Sequence, residues 1–125
     1  MSLDCFAVKV VDADPALFAD VPRGSEGGVH HGLLSQQPHG FYGSRYVAFV
    51  DMVTDGEISL YTPLLSVDAV KTLADALADW MAEHPDASWA DPHKPDIVLF
   101  PPEIQALSQW FRTAADNDCR VESWW

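Results

Sequence analysis

The stretch from Ser66 to His84 constrains the fold more than any other part of the sequence. It reads SVDAVKTLADALADWMAEH, and Ser66 stands where an N-cap residue accepts a hydrogen bond from the first helical turn. The side chains of one face recur at helical spacing: Val70, Leu73, Leu77, Trp80 and His84. We therefore predict a helix over residues 67–84 that buries this face against another layer of the protein.

Two more helices are predicted from proline and capping signals. Asp14 followed by Pro15 predicts a short helix over residues 15–20. Pro102 and Glu103 open a second long amphipathic helix, which ends at the Asp116-Asn117-Asp118 run. The apolar side of that helix consists of Ile104, Leu107, Trp110 or Phe111, and Ala114.

The clearest turn signal lies between two segments rich in β-forming residues. RYVAFVDMV (45–53) and EISLYT (57–62) flank Thr54-Asp55-Gly56, and Asp-Gly between such segments predicts a tight β-hairpin. Asp51 is then expected on the solvent side of the sheet. Other strands are predicted at residues 5–12, 96–100 and 119–125, with a weak one within 29–35.

This order of elements predicts an α+β fold built as one domain over residues 1–125. We expect a single mixed, mainly antiparallel sheet of about five strands, with the two long amphipathic helices packed on one face. No repeat or domain linker interrupts the chain.

Charge limits the classes of partner. Nineteen acidic residues face seven basic ones, which gives a net charge of −12. The negative electrostatic potential of such a chain repels nucleic acid and anionic membranes and favours a basic protein partner. No apolar run approaches the ~20 residues of a membrane helix, and the N-terminus lacks the basic start of a signal peptide. We expect a cytoplasmic protein in which Cys5 and Cys119 are reduced, although the sequence leaves their pairing open.

The glycine-rich stretch GSEGGVHHGLLSQQPHGFYG (24–43) carries the candidate metal ligands His30, His31 and His39. Imidazoles are common zinc and iron ligands. In a strand, however, His30 and His31 would point to opposite faces, and no H-E-x-x-H or C-x-x-C spacing supports them. The alternatives are a mobile surface loop or a lid that closes over a ligand.

The acidic side of the long helix is the candidate partner-binding surface. Asp68, Asp75, Asp79 and Glu83 share one helical face, and Trp89 follows in a polar loop. An ordinary solvated face is the alternative interpretation. The functional interpretation is a non-catalytic acidic protein-binding domain without a cofactor, for example an immunity or antitoxin-type inhibitor of a basic protein, because complementary charge speeds association.

Two other hypotheses come from different classes. One is a small enzyme or metal-dependent ligand-binding protein that uses residues 24–43, since histidine titrates near neutral pH. No nucleophile elbow or phosphate-binding loop supports it. The other is a homodimer closed by the terminal Trp124 and Trp125, because tryptophan is enriched in interfaces.

Overall fold

The computed structural model describes residues 3–26 and 29–125, without the side chains of residues 25, 26, 29 and 30. Eight strands occur in the described part, in the order β1 (Asp4–Val8), β2 (Ser25–Glu26), β3 (Val29–His30), β4 (Gly40–Tyr42), β5 (Leu64–Leu65), β6 (Trp89–Ala90), β7 (Val98–Leu99) and β8 (Arg120–Trp124). The α-helices there are α1 (Val47–Val53), α2 (Val67–Glu83) and α3 (Pro101–Asp116). Single turns of 3₁₀ helix span Pro15–Phe18 and Gly43–Arg45.

The α+β class predicted from the sequence is confirmed, but the sheet differs from the prediction. Four strands form an antiparallel sheet in the order β4-β1-β8-β5, and β2-β3 and β6-β7 form separate two-stranded pairs. The prediction of one mixed sheet of about five strands was therefore wrong in detail. The main reason is that the segment expected to supply two of its strands forms helix α1 over 47–53 and no strand over 57–62.

The predicted hairpin over residues 45–62 does not form. Residues 47–53 are helix α1, and no strand occurs between 57 and 62. Tyr46, Phe49 and Val50 are all buried, at the spacing of three and four residues that one helical face requires. The Asp-Gly turn exists, with φ of 50° at Asp55 and 80° at Gly56, but it follows a helix instead of joining two strands. Asp51 is exposed, as expected, but it lies on helix α1 and not on the solvent side of a sheet.

The two long helices form as predicted. Ser66 caps α2 by accepting a hydrogen bond from the Ala69 amide at 3.1 Å. Val70, Leu73 and Leu77 are fully buried, whereas His84 is exposed and its Nδ1 lies 3.1 Å from the Trp80 carbonyl oxygen. On α3 the predicted apolar side is buried in full.

One face of the four-stranded sheet belongs to the core and the other does not. Cys5, Ala7 and Val121 are fully buried together with the apolar sides of α2 and α3. The opposite face carries Asp4 and Glu122, which are partly exposed, and Trp124, which is exposed. No helix in the described part of the chain is long and apolar enough to cross a membrane.

Candidate binding surfaces

The acidic side of α2 lies on the surface. Asp68, Asp75, Asp79 and Glu83 are all exposed. Arg112 of α3 donates to the Asp75 carboxylate at 2.8 Å, so one of these four acids is neutralised from the neighbouring helix. Lys71, on the same helix, donates at 2.9 Å to Asp118, and this hydrogen bond lowers the pKa of the Asp118 carboxyl group. Lys71 also interacts electrostatically with Asp68, and both interactions raise its pKa.

Trp89, the remaining predicted partner-binding residue, lines a groove on a different part of the surface. The groove has a volume of about 710 Å³. Its lining comes from α1, the turn that follows α1, strand β6 and the loop after β6: Ala48, Asp51, Met52, Asp55, Gly56, Trp89, Ala90, Asp91, Pro92 and His93. We call it the Trp89 groove. None of the described lining residues of the groove belongs to α2.

Three aspartates give the Trp89 groove its charge. Asp51 and Asp55 are exposed, whereas Asp91 is only 5 % exposed. The negative end of the α1 dipole lies beside Asp51 and Asp55 and adds to the same sign of potential. The lining residues described above include no lysine or arginine, so the groove is an acidic concavity with a partly apolar wall.

The walls of the groove are held in place from behind. Trp89 is half-buried, and its ring centroid lies 5.3 Å from that of Phe49, which is fully buried and also packs at 5.1 Å against Trp80. Asp91 Oδ1 accepts hydrogen bonds from the amides of His93 at 2.8 Å and Lys94 at 3.3 Å. These contacts fix the loop after β6 in one shape.

A second group of acid, base and aromatic side chains lies in the interior. Glu103, at the start of α3, is fully buried and accepts hydrogen bonds from Arg45 and, at 2.8 Å, from the Tyr46 hydroxyl. Tyr46 in turn accepts from the Leu34 amide at 3.0 Å. Burial raises the pKa of Tyr46, and the Glu103 carboxylate raises it further. We call these side chains the Glu103 cluster; its polar atoms satisfy each other and it ties α3 to the segment before α1.

The three candidate metal ligands are not brought together by the described contacts. His39 is buried, with Nε2 at 3.8 Å from Asp12 Oδ2 and no hydrogen-bond partner at Nδ1. His31 is exposed, and the His30 side chain lies outside the described residues. Within the described residues, no group of three or more His, Cys, Asp or Glu side chains is placed to hold a metal ion. A metal site at His30, His31 and His39 stays a prediction.

Both cysteines are free thiols in the interior. Ser123 Oγ lies 3.3 Å from Cys5 Sγ, and burial raises the pKa of Cys5 to about 11. Burial also raises the pKa of Cys119. Because the thiolate is the nucleophilic form, neither cysteine is prepared for catalysis at neutral pH.

Exposed aromatic side chains gather at one end of the four-stranded sheet. Trp124 is 62 % exposed, and Trp125 packs edge-on against Tyr61 with ring centroids 5.5 Å apart. Leu64 on β5 is also exposed. We call this the aromatic end of the sheet.

Comparisons of the chain with protein-family models, with curated proteins and with solved structures find no match.

Proposed function

We propose that this chain is a non-catalytic acidic protein-binding domain whose partner is a basic protein. The observation that carries the proposal is the acidic side of α2, where four carboxylates line up on the surface of the longest helix. Among the ion pairs of the described residues, only Asp75 of these four is paired. Asp75, Asp79 and Glu83 stand four residues apart and repel each other slightly, a cost that a cationic partner would offset.

The most concrete form of this function is an immunity or antitoxin-type inhibitor. Such a protein covers a cationic surface on its target with carboxylates, and the net charge of −12 accelerates the encounter. We place it in the cytoplasm, where free thiols such as Cys5 and Cys119 stay reduced. Nucleic acid is a poor partner in this scheme, because phosphate contacts need lysine and arginine.

Capture of the partner tests this function. The immobilised protein is incubated with lysate of its own source organism at low salt and eluted with a salt gradient, and the retained protein is then purified for titration. We expect a basic protein whose affinity falls as salt rises, since screening weakens contacts between exposed charges. The matched variant Asp68→Asn/Asp79→Asn/Glu83→Gln keeps the size of each side chain and should lose most of the binding. Recovery of no basic protein would refute the proposal.

A homodimer is a second candidate, favoured by the exposed aromatic end of the sheet. Trp124 and Trp125 together present large apolar surface to solvent, which is typical of interface residues. Light scattering in 0.5 M salt, roughly where charge repulsion between the two acidic copies is screened, should give the mass of a dimer. Trp124→Thr/Trp125→Ser should give a monomer, and a monomeric parent protein would exclude this candidate.

A further inference from the structure

We infer that the Trp89 groove receives an arginine side chain of the basic partner. The groove places the Trp89 ring beside three aspartates, and His93 is the one basic residue among its described lining residues. This inference rests on the proposed function and assigns it a second contact surface. The acidic side of α2 supplies attraction over distance, and the groove supplies a shaped site for one residue.

Charge complementarity selects a cation as the occupant. Asp51 and Asp55 approach from the end of α1, and Asp91 approaches from the loop after β6, so acids from two separate segments surround the same space. A carboxylate in a concave, partly apolar site interacts more strongly with a cation than one on a flat surface, since less water screens the pair. An anionic or neutral apolar occupant would leave these carboxylates partly desolvated without a partner.

The arrangement suits a guanidinium group better than a metal ion. The described residues contain no group of three acids or histidines placed to hold an ion, so the three carboxylates are spread around the groove and do not converge on one point. A guanidinium has five donors in a plane and can reach separated carboxylates while its face stacks on an aromatic ring. Lysine offers a single compact charge and stacks less well. A volume of about 710 Å³ accommodates the side chain and adjoining backbone.

The groove is formed before any partner arrives. The packing of Trp89 on the fully buried Phe49 fixes the aromatic wall. The hydrogen bonds that Asp91 accepts from the His93 and Lys94 amides fix the loop that follows β6. Trp89 and the loop after β6 therefore need little ordering on binding, which favours affinity for a single residue.

Titration with a blocked peptide tests the assignment directly. The probe is acetyl-triarginine amide, and binding is monitored in ¹H–¹⁵N spectra of the labelled protein. The corresponding tricitrulline and trilysine peptides are the controls. We expect saturable shifts at the amides of Asp51, Asp55 and Trp89 and at the Trp89 indole. Citrulline has the shape of arginine without its charge and should produce no such shifts. Lysine should bind at least threefold more weakly than arginine.

Two charge-matched variants separate the groove from the general field of the protein. Asp51→Asn/Asp55→Asn should weaken the triarginine peptide at least tenfold. Asp68→Asn/Asp79→Asn removes the same charge from α2 and should change the affinity less than twofold. All four positions are exposed, and the spectra report directly that each variant remains folded.

The outcomes distinguish this inference from the proposed function. Equal weakening by both variants, or shifts confined to α2, would overturn the groove as a site and leave the acidic partner-binding domain standing. Equal affinity for trilysine would overturn the assignment to arginine. An absence of saturable binding to the parent protein would overturn the inference, while capture of a basic protein would still decide the proposed function by itself.

Discussion

The Glu103 cluster and the Trp89 groove both combine carboxylates with an aromatic side chain, but among the described residues only the cluster also contains a cation that pairs with its carboxylate. In the cluster, Arg45 supplies the cation and Tyr46 the second donor, so the buried carboxylate is paired within the chain. In the groove, Asp51 and Asp55 face solvent beside Trp89, and none of the described lining residues is an arginine or lysine. The contrast teaches that acids of this chain divide into those that hold the fold and those that the fold does not need.

Removal of the interior cation should have the largest effect. Arg45→Met should lower the free energy of unfolding by about 3–5 kcal/mol, because it leaves the fully buried Glu103 without its cation. Urea unfolding followed by circular dichroism measures this change.

Arg112→Met is the matched control for that substitution. Arg112 pairs with Asp75 on the surface, and both side chains are largely exposed. Exposed pairs contribute at most about 1 kcal/mol, so this variant should unfold close to the parent protein. Equal losses of unfolding free energy from the two substitutions would show that burial of Glu103 does not make its ion pair more important than a surface pair. The contrast between the cluster and the groove would then be wrong.

Tyr46→Phe should have the next largest effect, about 2 kcal/mol at neutral pH. It removes the donor to Glu103 and the acceptor for the Leu34 amide, both in the interior. The folded protein holds the Tyr46 proton more tightly than the unfolded chain, since its pKa is raised above the ordinary value of 10.0. The contribution of this group is therefore complete below pH 10 and is lost as the pH rises further.

The pH dependence gives Tyr46→Phe a readout beyond simple loss of packing. Above pH 10 the parent protein should lose stability more steeply than the variant, measured as urea midpoints across an alkaline pH series. Parallel curves for the two proteins would contradict the raised pKa of Tyr46.

Substitution of Asp91 should cost less stability than changes in the Glu103 cluster and more than changes at the exposed groove acids. Asp91 lines the groove and also supports the loop after β6. Asp91→Ala removes the acceptor for the amides of His93 and Lys94 and should cost about 1–2 kcal/mol. Asp91→Asn keeps an acceptor oxygen and should cost less than half as much. If the Asn variant is as unstable as the Ala variant, the charge of Asp91 contributes to the stability of the fold. The groove would then also contain an acid that the fold needs.

The smallest effect is expected for the exposed groove acids. Asp51→Asn/Asp55→Asn should change the free energy of unfolding by no more than about 0.5 kcal/mol, as is usual for surface positions. Asparagine tolerates the φ of 50° found at residue 55, so the backbone is not strained by the change. A loss above 1.5 kcal/mol, roughly three times that bound, would show that these acids stabilise the fold themselves.

The two long helices could be predicted from the sequence, and the short helix α1 could not. α2 and α3 carry capping or proline signals and several turns of apolar spacing, so local pattern and tertiary packing agree. α1 has only seven residues and is rich in valine and phenylalanine, which favour strands. Burial of Phe49 and Val50 against the rest of the core decided its conformation, and propensity is too weak to oppose that.

The candidate surfaces were accessible to sequence analysis only in part. The acidic face of α2 follows from helical spacing alone. The groove does not, because Asp55 was assigned to a hairpin turn and Asp91 lies 36 positions further along the chain. The pairing of Asp75 with Arg112 also depends on how two helices pack, and nothing in the local pattern of either helix indicates it.

The edges of the four-stranded sheet limit how copies of this protein can associate. β5 has only two residues, follows Pro63, which has no amide hydrogen, and leads within one residue into α2. At the other edge, the Tyr42 amide of β4 donates to the Leu34 carbonyl at 2.9 Å. A neighbouring chain finds little free backbone at these two edges, so extension of the sheet from copy to copy is disfavoured even though Leu64 and Trp124 are exposed.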